Sequence, residues 1–350
     1  MTFCEQSMQD NDVTIFPPKH KKHNYCIDFI KGIACFFVVF MHCEFPGRLG
    51  MAVQAVSRFS VPFFFMVSGY FSYTEGKYDA LRKIRHIAQI TIFASLFYLL
   101  VVVAKHLVLG TQLAFSLGGL CKWLLFNQPI IISGHLWFLY ALLYDYVLYA
   151  LIVRFRFQKL AYWLIPVLFI VYIAMAQGAH LYGLKIPNMY YRNFLIEGLL
   201  LFMLGNWLHR NESNITKLLS DKILLIILAM SIIACLGERL LIGRDFGMNI
   251  STLPQVLSLF IFSLKNGTRF AMHPISYVGA KLSLFVYIIH ICVWKDVVER
   301  VYRLAHVTNN ITALYLKPVF VLLVTLLISY AIVFFMEYFR QMHTSQKVKS

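Results

Sequence analysis

A carboxylate, a lysine and an imidazole share one face of the first apolar stretch of this chain. In Ile27-Asp28-Phe29-Ile30-Lys31-Gly32-Ile33-Ala34-Cys35-Phe36-Phe37-Val38-Val39-Phe40-Met41-His42, Lys31 and His42 stand eleven residues apart. Eleven steps of about 100° return a helix to nearly the same face. Asp28 lies one turn before Lys31, so the three side chains form a stripe about 21 Å long at 1.5 Å per residue. An imidazole that titrates near neutral pH can take the proton of a hydroxyl as that hydroxyl attacks an acyl group. Ionisable groups at membrane depth are costly, and they point to a cavity, a relay or a substrate path.

The elements that must carry this stripe follow from composition. The chain is 59% hydrophobic and 14% charged, too few polar residues to cover a soluble domain of this size. It reads as an integral membrane protein. The 32 basic against 16 acidic residues give a formal +16, which here orients helices and contacts anionic lipid, with no nucleic acid implied. Apolar windows of about 20 residues, each able to cross a hydrocarbon core of roughly 30 Å, fall near residues 27–45, 51–72, 86–108, 135–153, 160–177, 191–208, 223–241, 248–264, 277–294 and 317–337. The expected fold is therefore all-α and polytopic, with about ten transmembrane helices. The eighth window is the weakest, being short and carrying Ser251, Thr252, Pro254 and Gln255. Counting it leaves Lys and Arg roughly twice as numerous on one side as on the other, and this places both termini in the cytoplasm.

Residues 1–24 read as a cytoplasmic tail, residues 25–339 as one membrane domain, and residues 340–350 as a second cytoplasmic tail. The first tail is polar and ends in Pro17-Pro18-Lys19-His20-Lys21-Lys22-His23. It lacks the apolar core of a cleavable signal, so the first span itself serves as insertion signal. The connection 109–134 contains Gly118-Gly119-Leu120-Cys121-Lys122-Trp123-Leu124-Leu125-Phe126, which suits a helix lying in the interface. Seven cysteines, an odd number scattered without a CxxC, argue for free thiols. Twelve histidines show no metal-binding spacing, so no metal site is expected.

Tyr25-Cys26-Ile27-Asp28-Phe29-Ile30-Lys31-Gly32-Ile33-Ala34, followed by Val38-Val39-Phe40-Met41-His42, resembles the opening helix of the acyltransferase-3 membrane proteins, marked by Arg or Lys, ten residues, then His. Ser57-Arg58-Phe59-Ser60-Val61-Pro62-Phe63-Phe64-Phe65-Met66-Val67-Ser68-Gly69-Tyr70-Phe71 is similar to the family's second helix, and Arg82-Lys83-Ile84-Arg85 to its basic loop. Gly134-His135-Leu136-Trp137-Phe138-Leu139 and Ser283-Leu284-Phe285-Val286-Tyr287-Ile288-Ile289-His290 follow in the same order. The resemblance spans about residues 25–335. It implies ten membrane helices and transfer of an acyl group, usually acetyl from acetyl-CoA, to a carbohydrate hydroxyl, as in the bacterial surface-polysaccharide O-acetyltransferases. The family's commoner Arg is Lys31 here, a point charge without Arg's two-pronged fork.

Roles follow from residue type and expected depth. His42, at the outer end of the first span, is the expected base, with Lys31 about 16 Å further in. Arg58 can hold the thioester oxygen, a substrate carboxylate or Glu197, whereas Glu197 can instead orient the His42 ring. At the inner mouth, Lys31, Arg82 and Arg85 suit the phosphates of acyl-CoA. Ser68-Gly69-Tyr70 is a small-residue break where backbone can approach that ligand. His135 and Trp137, at the outer interface, offer rings on which an acceptor sugar can stack.

The chain thus reads as a multi-pass protein of the cell (inner) membrane that moves an acyl group from acyl-CoA to a hydroxyl of a surface carbohydrate or its lipid-linked precursor. Acyl-CoA is a co-substrate, and no resident cofactor is expected. The bilayer, acyl-CoA and the carbohydrate are its partners, and the reading leaves room for a homo-oligomer. Two other classes compete. A polysaccharide or lipid exporter would also line a membrane path with charge, and a non-catalytic membrane module could keep the same fold.

Overall fold

The computed structural model describes residues 23–74, 79–111, 116–129, 132–244 and 246–349, with side chains as far as residue 342. Residues 1–22 of the expected first tail and Ser350 of the expected second lie outside the described residues. The described elements are helical: α1 Tyr25–His42, α2 Gly47–Ser57, α3 Ser60–Tyr70, α4 Ala80–Leu109, α5 Leu117–Phe126, α6 Gly134–Arg154, α7 Gln158–Leu181, α8 194–210, α9 Glu212–Leu218, α10 Asp221–Ile242, α11 Thr252–Lys265, α12 Pro274–Leu304 and α13 Ile311–Lys349. The expected second tail therefore continues the last helix. Among the described residues, eight segments are long and apolar enough to cross a membrane, α2 and α3 counting together as one. They coincide with eight of the ten windows. Their outward faces carry Phe93, Leu100, Trp163 and Ile226, all exposed, as expected where lipid is the solvent.

The sixth and eighth windows are filled by shorter helices. The sixth is α8, whose residues from Leu199 to Asn206 are all buried. The eighth is α11, with only 14 residues. Before it, residues 246–251 enter the protein as non-helical backbone, with Phe246, Met248, Asn249 and Ser251 all buried. Irregular backbone survives at membrane depth only when the protein satisfies it. Here Tyr172 Oη accepts from Met248 N at 2.7 Å, Gln177 Oε1 from Ile250 N at 3.1 Å and Glu238 Oε1 from Ser251 N at 3.0 Å. The polar residues that weaken the window are thus those of a re-entrant loop and its helix start.

The second window is broken in two at Arg58 and Phe59. Pro62 explains the position, because a proline removes one helical hydrogen bond and crowds the carbonyl four residues earlier. Two pairs of glycines let helices touch through their backbones. A Cβ at Gly69 would strike the Phe202 carbonyl and one at Gly205 the Met66 carbonyl, which joins α3 to α8. Gly32 and Gly279 join α1 to α12 in the same way. Close approach of this kind is the usual use of small residues between membrane helices.

Candidate active site

Six elements deliver side chains to one end of the bundle, called here the His42 end. His42 is the last residue of α1, and Arg58 sits at the break between α2 and α3. Gln54 fixes these two together. Its Nε2 donates to the Phe40 and Met41 carbonyls at 3.1 and 3.0 Å, capping the end of α1. Its Oε1 accepts from Arg58 Nη2 at 2.7 Å. The amide thus holds the guanidinium beside the turn that presents His42.

Three histidine rings meet there. The His42 ring centroid lies 5.0 Å from that of His290 on α12 and 6.4 Å from that of His135 at the start of α6. Both nitrogens of His135 are engaged, Nδ1 with Ser133 Oγ at 2.7 Å and Nε2 with the Ile288 carbonyl at 3.3 Å. Its own carbonyl accepts from Tyr287 Oη. His42 is half-buried and, among the described residues, makes no hydrogen bond, so its ring is available to a ligand.

Arg192 completes the end, and the sequence reading did not single it out. It stands on the loop before α8, which two asparagines lock. Asn193 caps α8 by accepting from Leu195 N and Ile196 N at 3.0 and 3.1 Å, and it donates to the Met189 and Tyr190 carbonyls. Asn127, fully buried, donates to the Trp137 carbonyl at 3.1 Å and accepts from Phe194 N at 3.0 Å. The result lays the Arg192 guanidinium over the Trp137 ring, 4.4 Å from its centroid. A desolvated cation on an indole is worth about 2 kcal/mol. The available signal was Asn193 ahead of an apolar run, a typical N-cap that fixes its neighbour.

Glu197 lies in the first turn of α8, a wide π-helical turn, with none of its surface exposed. Neither carboxyl oxygen has a hydrogen-bond partner among the described residues. The charges that reach it are those of Arg192 and Arg58, and the same two cations reach His42. Glu197 thus lies in the field of both guanidiniums, while its oxygens make no hydrogen bond to Arg58, Arg192 or His42 among the described residues. Gly247 of the re-entrant loop covers this carboxylate. A Cβ there would stand 2.8 Å from Tyr172 Oη, 3.2 Å from Glu197 Oε2 and 3.4 Å from Arg192 Cδ. Asp145 on α6, packed against Gly198, is likewise fully buried with both oxygens unengaged. Buried polar groups are normally satisfied, and a convergent set that is not marks a place built to meet something else.

The residues expected to meet acyl-CoA gather at the opposite, Lys31 end, but not as one lining. Asp28 accepts from Lys31 Nζ at 3.0 Å and lies 2.6 Å from His23 Nε2. Tyr70 donates to Glu212 Oε2 at 2.7 Å, while Ser68 donates to the Phe64 carbonyl and Gly69 packs on Phe202. Arg82 pairs with Asp79 at 3.1 Å on the surface, and Arg85 is exposed on the same helix start. Lys83 donates to the Phe71 carbonyl at 2.6 Å and so ties α4 to the residue that follows α3. Two cavities open here. One of about 520 Å³ is lined by His23, Asp28, Tyr70, Glu212 and Lys265 among others, and one of about 590 Å³ by Tyr73, His209, Arg210, Glu212 and Thr216.

Among known proteins, the family described as acyltransferase domain has a model that matches residues 24–334. No curated protein matches the chain. No solved structure matches it either.

Proposed function

The chain belongs to the acyltransferase-3 family of membrane proteins, and on that footing we propose that it is an O-acyltransferase moving an acyl group, acetyl above all, from acyl-CoA to a carbohydrate hydroxyl. The observation that carries the proposal is the His42 ring, which makes no hydrogen bond of its own among the described residues, lies within reach of the charges of Arg58 and Arg192, and stands in line with Lys31 along α1. His42 takes the hydroxyl proton as the acceptor oxygen attacks the thioester carbon. The C–O bond forms, the C–S bond breaks, and the proton passes from His42 to the departing thiolate. Arg58, held by Gln54, and Arg192, held on Trp137, stabilise the charge that builds on the carbonyl oxygen, with the buried Glu197 carboxyl in their field. The acceptor hydroxyl meets the His42 ring, while His135 and Trp137, buried and already engaged by Ser133, Ile288 and Arg192, form the wall behind it instead of an open stacking surface for the sugar.

Acyl-CoA enters from the Lys31 end. Lys31 and Tyr70 act beside a mouth whose basic groups, Arg82 and Arg85 with Lys265, His209 and Arg210, attract its phosphates. Gly69 keeps α3 close to α8 along the path, and Ser68 stands beside it with its hydroxyl on the Phe64 carbonyl. In this scheme the chain crosses the inner membrane ten times, α8 and α11 each counting as a crossing, and both termini face the cytoplasm. The excess of Lys and Arg on one side supports that orientation. A thiol introduced by Gly47→Cys should react with an impermeant reagent in intact cells, and one introduced by Ser350→Cys only in opened membranes. Labelling of Ser350→Cys in intact cells would overturn the ten-crossing topology.

The activity itself is tested by incubating membranes that hold the protein with radiolabelled acetyl-CoA. Label is expected in an alkali-labile ester on a glycan fraction. A correctly inserted protein that leaves every hydroxyl acceptor unlabelled contradicts the proposal.

A further inference from the structure

His290 lies midway along α12 with 1% of its surface exposed. Its Nδ1 is 3.0 Å from the Val286 carbonyl and 2.8 Å from the Tyr287 carbonyl. Carbonyl oxygens only accept, so Nδ1 carries the hydrogen, and in the neutral ring Nε2 is left with its lone pair. That nitrogen is buried and makes no hydrogen bond among the described residues. The helix backbone has therefore selected one tautomer of His290 and left an acceptor at its far edge.

His42 is the group placed to use that acceptor. The two ring centroids are 5.0 Å apart and the rings are tilted by 45°, so they touch without stacking. The rings are not hydrogen-bonded to each other in the structure, but each nitrogen sits roughly 1 Å out from its centroid, so a turn of the His42 ring to face His290 would bring the two nitrogens to about 3 Å, one hydrogen-bond length. His135 is as close to His290, at 5.1 Å, but both of its nitrogens are taken by Ser133 and Ile288. Glu197 does not compete, because the charges acting on it are those of Arg192 and Arg58.

We propose, on the reading that His42 is the base, that His290 is its positioning residue: His290 Nε2 accepts the N–H of His42 and holds the other His42 nitrogen bare toward the acceptor hydroxyl. Such contacts tighten when substrate binds. During transfer the hydroxyl proton moves to His42 as the C–O bond forms and leaves with the thiolate as the C–S bond breaks. His290 keeps its own hydrogen throughout and steadies the imidazolium through the same hydrogen bond.

Two substitutions separate this role from a structural one. His290→Asn can keep the donation to the Val286 and Tyr287 carbonyls but removes the acceptor, whereas His290→Gln can return an oxygen to the position of Nε2. With the protein in lipid vesicles and labelled acetyl-CoA as donor, His290→Asn should lower kcat about 100-fold with donor and acceptor KM unchanged, and His290→Gln should stay within about tenfold of the parent. A structural role predicts the reverse order, and a His290→Asn protein at the parent rate, or a folded His290→Gln protein no better than His290→Asn, overturns the proposal. If neither variant folds, nitrogen-15 histidine spectra of the parent decide, with the His42 signals assigned by difference against His42→Ala. A single His42 tautomer is expected, and a mixture of the two overturns the pairing. His42→Ala in the same assay keeps the two readings apart: parent activity there removes the base itself, whereas an inactive His42→Ala beside a fully active His290→Asn removes only the positioning role.

Discussion

At the Lys31 end of the bundle the charged side chains are bound to one another or to backbone: Lys31 and His23 to Asp28, Tyr70 to Glu212, Arg82 to Asp79, and Lys265 to the Thr216 and Leu219 carbonyls. At the His42 end the pattern inverts. Glu197 is wholly buried with both oxygens unengaged, His290 offers a bare Nε2, and His42 bonds to nothing among the described residues. A buried polar group left without a partner costs about 1 to 3 kcal/mol, so a protein keeps several together only where they do something other than stabilise the fold. Pairing at one end sets geometry and draws in an anion. Its absence at the other leaves groups free for chemistry.

The comparison breaks most visibly at Arg192. Arg192→Ala removes a guanidinium within charge reach of both His42 and Glu197, and kcat should fall about 100- to 1,000-fold. Arg192→Lys keeps the charge but loses the planar fork on Trp137, and it should recover only part of that loss. Steady-state kinetics in vesicles measures both, and a fully active Arg192→Ala would leave the His42 end with one cation too many for the scheme.

Glu197→Gln should have a smaller effect on rate and an opposite one on stability. Replacing an unengaged buried carboxylate by a neutral amide of the same shape relieves a desolvation cost, so the melting temperature should rise while kcat falls about 10- to 100-fold. A functional group kept at the expense of stability gives this combination. A fall in both would return Glu197 to the structural side of the comparison.

Lys31→Ala should do least. Lys31 belongs to the paired end, and losing one charge-assisted contact should raise the donor KM about tenfold with kcat little changed. Lys31→Arg should be tolerated. Unchanged donor dependence together with poor folding would make Lys31 purely the partner of Asp28.

What the sequence allowed to be read follows the same division. The apolar windows and the eleven-residue spacing of Lys31 and His42 depend on local periodicity, and α1 carries them as a single helix. Pro62 explains a break at Arg58 from four residues away, again a local effect. Arg192 was only half legible, since Asn193 marks a helix start beside it, but the loop is also locked by Asn127, more than sixty residues earlier. The re-entrant loop was visible only as a weak eighth window. Its polar residues look like poor membrane material until Tyr172, Gln177 and Glu238 are known to meet its backbone. Gln54, which fastens Arg58 to the end of α1, gave no signal beyond being a polar residue in an apolar run.

The central claim is that His42 is the base of an acyl transfer carried out at its end of the bundle. The most direct measurement is the rate at which purified protein in lipid vesicles moves labelled acetyl from acetyl-CoA to a carbohydrate acceptor, compared between parent and His42→Ala. The variant should insert, bind donor and melt like the parent, with transfer slowed about 100- to 10,000-fold. A well-folded His42→Ala protein that transfers acetyl at the parent rate would contradict the account.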